Sequence, residues 1–299
     1  MKISVCGKGG SGKSTIVTLL ANQARKKGYR VLVVDSDESN SGLFRTFGFD
    51  QPPVPLMELV GGKKKVQEKM KKGYSAAEAE TAMKVMAQKH IMVSDIPSEN
   101  ILTKDNLGLV SIGKILQSLE GCACPMGVLS REFLRKLSLS SNEIAIVDME
   151  AGVEHFGRGV ETSIDAVLIV VEPSFESLQL AEKINSLSHG IGINNIWAVL
   201  SKIPSNGIAE KLKGKLDTMD IDMIGCIHYD AEIFQSCLEG SMFGKGKAGE
   251  EIIDVFDSQS LKILAIWTSM VKTSEWKPCL GKKRSSKEKS WRLILKILR

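Results

Sequence analysis

The eight residues Gly7-Lys8-Gly9-Gly10-Ser11-Gly12-Lys13-Ser14 constrain this chain more than any other segment. They fit the spacing G-x-x-x-x-G-K-[ST]. An apolar run, Lys2–Cys6, precedes them, and an amphipathic stretch from about Ser14 to Lys27 follows. That context predicts strand, loop and helix, the setting in which this spacing cradles phosphate. Glycines let successive backbone N–H groups turn towards one centre and approach phosphate oxygens. The helix N-terminus adds positive potential. A nucleotide such as ATP is expected along Gly7, Gly9, Gly10, Ser11, Gly12, Lys13, Ser14 and Thr15. Lys13 is expected to reach the β- and γ-phosphates, and the Ser14 hydroxyl to ligate Mg²⁺.

The rest of the chain supplies a scaffold for such a loop. Short apolar runs recur at Arg30–Val34, Ile144–Val147, Ala166–Val171 and Ile196–Leu200, separated by amphipathic stretches. Continuous apolar strands alternating with helices imply a mostly parallel sheet covered on both faces, an α/β doubly wound class. Residues 61–90 are Lys-rich and then Ala/Glu-rich, and read as a solvated helical insertion. Residues 91–113 read as extended and turn-rich. No segment approaches the roughly 20 apolar residues needed to span a bilayer. The first ten residues read as a strand entering a glycine loop, not as a signal peptide. Six cysteines at irregular spacing point to a reducing, cytoplasmic setting, where cysteines tend to be structural, metal-binding or catalytic.

Three aspartates fall where strands should end. Asp35 and Asp37 follow Arg30–Val34, and Asp148 follows Ile144–Val147 in the string Asp148-Met149-Glu150-Ala151-Gly152. A carboxylate at such an end, beside the phosphate loop, can hold Mg²⁺ directly or through water. Asp35 is expected to support the loop or the metal shell. Gly152 gives its loop freedom to move with a γ-phosphate. Together with the phosphate loop, these carboxylates point to phosphoryl transfer, which relies on positioning and charge neutralisation.

Cys122-Ala123-Cys124-Pro125 carries a second chemistry. In an extended chain the two thiols would share one face. A single Cys-x-Cys pair is too tightly spaced to complete a tetrahedral site. Two pairs meeting across a twofold axis would offer four thiolates, a set suited to Zn²⁺ and soft enough for Ni²⁺ or an iron–sulfur cluster.

The string GKGGSGKST resembles the deviant phosphate loop of the MinD/nitrogenase-iron-protein family of P-loop ATPases. The resemblance implies that fold, with Lys8 reaching the nucleotide of a partner subunit in a homodimer. It makes Asp148 the Walker B aspartate and Asp37 the residue that orients the attacking water. Gly113-Lys114-Ile115, GCACPMGVLSREFL, DMEAGVEHFGRG and VVEPSFESLQLAEKI more closely resemble the CooC-type maturation ATPases. That resemblance covers about Met1 to Val271. It implies nickel, or zinc, held between subunits by Cys122 and Cys124, and a nickel-enzyme client such as carbon monoxide dehydrogenase. His155, within the DMEAGVEHFGRG string, reads as a hydrogen-bonded structural histidine. The family's adenine-contacting Asn-Lys corresponds here to Ser201-Lys202, after the strand Ala198–Leu200. Lys202 is kept as a nucleotide-binding residue, while a serine hydroxyl offers less than an amide's donor and acceptor pair.

The net charge of +5 does not describe this body. Ten basic residues and two acids lie between Lys272 and Arg299, so the tail carries +8 and residues 1–271 carry −3. Clustered charge, not bulk charge, marks a partner surface, and no nucleic acid is expected for the ATPase domain at 1–271. The tail at 272–299 reads as a flexible extension. If helical, SWRLILKILR would be basic and amphipathic, the composition of a membrane-surface helix. A MinD/ParA-like positioning ATPase on membrane or DNA is therefore the alternative. An iron–sulfur electron donor is a third reading, disfavoured because both sulfurs lie within one Cys-x-Cys.

Overall fold

Between Val31 and Val34 the chain holds only Val and Leu, so a strand there must be covered on both sides. In the computed structural model it is. The structure describes residues 1–63, 66, 88–115, 124–244 and 246–258. Most of the helical insertion expected at 61–90, Cys122, the boundary at 271 and the tail at 272–299 lie outside the described residues.

Eight strands form one sheet: β1 (Lys2–Gly7), β2 (Arg30–Asp35), β3 (Leu102–Lys104), β4 (Leu107–Ser111), β5 (Glu143–Asp148), β6 (Ala166–Val171), β7 (Ile196–Ile203) and β8 (Asp222–His228). Their order is β3-β4-β2-β5-β1-β6-β7-β8, and every neighbouring pair except β3–β4 is parallel. Among the described residues six longer helices accompany them: α1 (Lys13–Lys26), α2 (Cys124–Lys136), α3 (Phe175–Gly190), α4 (Asn206–Asp217), α5 (Ala231–Glu239) and α6 (Lys247–Phe256).

Alternating side chains feed two cores. Cys6, Val34, Ala145, Val147 and Ile169 face one core, with α2, α3 and α4. Val5, Val33, Ile146, Leu168 and Val170 face the other, with α1 and α6. The sheet is thus covered on both faces, and the mostly parallel, doubly wound expectation holds. Ile16, Leu19 and Leu20 of α1 are at most 1% exposed. Burying such side chains contributes roughly 1.5–3 kcal/mol each, which fixes α1 and the loop leading into it.

The layout also sets where a ligand can go. β1 lies between β5 and β6, with β2 beyond β5. The chain therefore winds outward in both directions from β1, the topological switch point where open α/β sheets leave a crevice at the carboxyl ends of their strands. Residues 8–12 lie at that point.

The segment 91–113, read as extended and turn-rich, contains the hairpin β3–β4, turned by Asp105 (φ 46°) and Asn106 (φ 63°). Two successive positive φ values suit a two-residue hairpin loop, for which Asp and Asn are favoured. Asp148 is the last residue of β5, not the first after it. β7 runs past Leu200 to Ile203, so Ser201 and Lys202 lie within the strand. Cys124 opens the α-helix α2, which departs from the extended geometry expected of the Cys-x-Cys pair.

Candidate nucleotide site

Backbone conformation comes first. Gly7, Gly10 and Gly12 have φ of 149°, 78° and 98°. A Cβ on Gly7 would lie 2.6 Å from the Val170 carbonyl oxygen, and one on Gly12 would lie 2.8 Å from Ser201 Oγ. These two glycines are required both by conformation and by space. Gly12 is also the N-cap of α1, with no side-chain cap and no acid in the first turn. The first N–H groups of α1 are thus left for another acceptor.

Lys13 is buried, with Nζ 3.4 Å from the Lys8 carbonyl oxygen. Ser14 Oγ donates to Asp148 Oδ2 at 2.6 Å and accepts from Asn40 Nδ2 at 2.8 Å. Asp148 Oδ1 and Ser11 Oγ are buried without a hydrogen-bond partner among the described residues. A hydroxyl and a carboxylate in contact, one oxygen of them unengaged, form a hard oxygen donor set suited to Mg²⁺. The uncapped helix and Lys13 suit the phosphates that would share it.

The strand register explains the electrostatics. Asp148 pairs with Val5 on one side and with Asp35 on the other. Burial pushes the Asp148 carboxyl up to about 7, helped by the charge of Asp35 and opposed by Ser14 and Lys13. Burial also pushes Asp35 up to about 6, against the lowering effect of Lys114.

Lys114, to which the sequence alone assigns no role, is brought into the site. Its ammonium donates to Asp35 Oδ1 at 2.7 Å and to the carbonyls of Asp37 and Asn40. It ties the loop after β2 to the sheet. Asp37 turns that loop on itself, its Oδ1 accepting from Ser39 Oγ at 2.6 Å and from the N–H of Ser39 at 2.9 Å. The available signal was a lysine three residues past a buried strand, opposite carboxylates that also end strands.

Lys8 donates to Glu172 Oε1 at 2.8 Å. Lys202, at φ 58° and within a register shift between β7 and β8, reaches back to the Gly10 carbonyl at 2.5 Å. A bulge re-aims a side chain in this way. Behind the loop, His155 contacts Glu161 through Nδ1 and the Gly152 carbonyl through Nε2 at 3.1 Å, while the Gly152 N–H donates to the Gly7 carbonyl at 3.3 Å. Cys6, His155 and Glu161 form a buried group, and burial raises the Cys6 thiol well above its ordinary value. His155 is thus hydrogen-bonded within the fold, as expected.

A cavity of about 430 Å³ opens over these residues, lined by Gly12, Lys13, Asp37, Lys202, Tyr229 and Phe234 among others. Its size falls within the usual range for ligand pockets. Gly7, Lys8 and Asp148 are not part of its lining, and neither is Cys124, which opens α2.

The profile of one family, described as the CobQ/CobB/MinD/ParA nucleotide binding domain, matches residues 3–243. The chain belongs to this family. It is a P-loop ATPase. An uncharacterised ATP-binding protein of Methanocaldococcus jannaschii is 44% identical over 203 residues, covering 68% of this chain and 79% of its own. The carbon monoxide dehydrogenase accessory protein CooC of Rhodospirillum rubrum is 32% identical over 233 residues, covering 78% and 85%. Among solved structures, MinD of Aquifex aeolicus in the MinC:MinD complex superposes with a TM-score of 0.59 at 18% identity, covering 95% of this chain and 98% of its own. MinD of Pyrococcus horikoshii with Mg-ADP gives 0.59 at 17%, covering 92% and 99%. Both likenesses concern the fold. Among the described residues, no helix is long and apolar enough to cross a membrane.

Proposed function

We propose that this ATPase is a dimeric metallochaperone that carries nickel on paired Cys122-x-Cys124 motifs and assists metal insertion into carbon monoxide dehydrogenase or a related enzyme. The reading is supported by the joint occurrence of the phosphate loop with Ser14 and Asp148 beside it and of Cys124 on α2, a helix in contact with the loop after β2. The 32% identity to a protein named as a carbon monoxide dehydrogenase accessory protein supports it.

In this reading Lys13 and the N-terminus of α1 bind the nucleotide phosphates, and Lys202 lies beside the base and sugar. Ser14 and Asp148 hold Mg²⁺, which supplies charge neutralisation at the leaving phosphate. Asp37 orients the water. Lys8 leaves Glu172 and reaches the nucleotide of the second subunit, so two ATP-loaded protomers close on each other. Closure brings two thiol pairs together, and hydrolysis parts them, releasing Ni²⁺ or Zn²⁺ to the client.

Nickel binding by the purified protein, against the Cys122→Ser/Cys124→Ser variant, tests the cargo. The expected result is one metal ion per dimer for the wild type and none for the variant. Equal stoichiometry in both would remove the metal role. The basic, amphipathic composition of Ser290–Arg299 favours a second reading, a MinD/ParA-like ATPase on a membrane. It requires that removal of residues 272–299 abolish association with anionic liposomes while ATP hydrolysis continues.

A further inference from the structure

Arg158 joins three parts of the molecule that its sequence position does not connect. Its Nη1 donates to Glu150, two residues beyond Asp148 on the loop after β5. The same nitrogen lies 3.9 Å from Glu38 Oε1, beside Asp37 on the loop after β2. Its aliphatic stem crosses α2 at Gly127. A Cβ on Gly127 would lie 2.5 Å from Arg158 Cδ and within 3.2–3.3 Å of its Cβ and Cγ. Only a residue without a side chain leaves room for that stem.

α2 also grips the same region by other means. Arg131 Nη1 donates to the Arg158 carbonyl at 3.2 Å. The Ser130 and Ser36 hydroxyls are 2.9 Å apart, linking α2 to the first residue after β2. Met126 fills the space beside Gly113, next to Lys114. The helix that begins at Cys124 is therefore in contact with both loops of the phosphate site.

We propose that Arg158 is a positioning residue that transmits occupancy of the phosphate site to α2 and thus to Cys124. Glu38 and Glu150 present two carboxyls to one guanidinium and to each other, burial raising that of Glu38, so the side chain has two alternative acid anchors on two different loops. A shift of either loop on nucleotide binding changes which anchor holds it. The stem is wedged against Gly127, so the guanidinium cannot follow a loop without moving α2 or breaking its contact there. Packed interfaces of this kind pass between discrete arrangements. The consequence for cargo rests on the metallochaperone reading, whereas the coupling itself does not.

The experiment is amide hydrogen exchange of residues 124–136 with and without Mg²⁺ and AMP-PNP, a direct measure of coupling and not an inference from adjacency. In the wild type, nucleotide is expected to change exchange rates across α2 by about fivefold or more, the lower end of ordinary site-to-site coupling. Arg158→Ala and Gly127→Ala are expected to lose that response, with AMP-PNP affinity within about threefold of wild type. Gly127→Ala keeps the charge and places a better helix former in α2, so it separates wedging from ion pairing. Arg158→Lys, should the alanine variants fail to fold, is expected to show less than half the wild-type response. An unchanged response in these variants, or no response in the wild type, overturns the proposal. A parallel Ni²⁺ titration separates the two ideas: wild type that binds no nickel but shows the exchange response refutes the cargo reading and leaves the coupling standing.

Discussion

Asp35 and Asp148 stand opposite each other in register at the ends of adjacent parallel strands, and both hold their protons to unusually high pH. Their carboxyls are raised from 3.8 to about 6 and about 7, chiefly by burial. Between about pH 4 and pH 7 the folded state therefore binds more protons than the unfolded chain, so these groups make stability fall as pH rises. Without nucleotide, the melting temperature is expected to climb as pH drops from 8 to 6. Asp148→Asn should raise the pH 8 value and flatten the slope. The same slope in the variant would clear Asp148 of responsibility. Mg²⁺ requires the ionised carboxylate, so Mg²⁺-dependent nucleotide affinity should increase as pH passes upward through about 7.

Lys114 neutralises the Asp35 carboxyl, its ammonium 2.7 Å away. Lys114→Met leaves Asp35 buried and unpaired, a change that costs about 3–5 kcal/mol when a buried pair loses one partner. Denaturant unfolding at pH 8 should show that loss. At pH 5, where Asp35 holds its proton, the loss should shrink. Lys114→Met/Asp35→Asn should recover much of it, and a double variant no better than the single would show that Lys114 acts through its loop carbonyls alone.

Gly7→Ala places a methyl group 2.6 Å from the Val170 carbonyl at φ 149°. Strain of this kind costs on the order of 1–3 kcal/mol. Thermal unfolding should report it directly, and nucleotide affinity should fall because β1 can yield only by moving the loop. Gly10→Ala, with nothing within 4 Å of the added carbon, is the control for conformation without collision.

The two loop lysines should separate in function. Lys13→Ala is expected to abolish nucleotide binding and reduce ATP hydrolysis by at least about a hundredfold, the scale of losing a preorganised charge at the transferring phosphate. Lys8→Ala should bind nucleotide nearly as well as wild type but fail to dimerise on ATP, measured by light scattering. A Lys8→Ala protein that dimerises normally would exclude a role between subunits.

The phosphate loop and the strands β1, β2, β5, β6 and β7 were legible because each is short, apolar and bounded by turn formers. β8 was missed because a half-buried edge strand, DMIGCIH, lacks the continuous apolar run of the centre. β4 was hidden in a turn-rich stretch, although Asp105-Asn106 was a readable hairpin signal. Asp148 was found from its place after a run of valine and isoleucine. Lys114 was not, since its place three residues past β4 becomes a signal only once β4 is known to lie beside β2. Arg158 is similar, its meaning set by a glycine 31 positions earlier.

The contact between Gly7 and the Val170 carbonyl has a broader consequence. The loop is clamped at its root by β6, which pairs with β1 inside the sheet, so its shape is inherited from the scaffold before any ligand arrives. Ordering costs on nucleotide capture then fall on the segments after β2 and β5 instead. Those segments are held by side-chain contacts, Lys114 to Asp35 and Arg158 to Glu150, which can be exchanged while the grip on phosphate stays fixed.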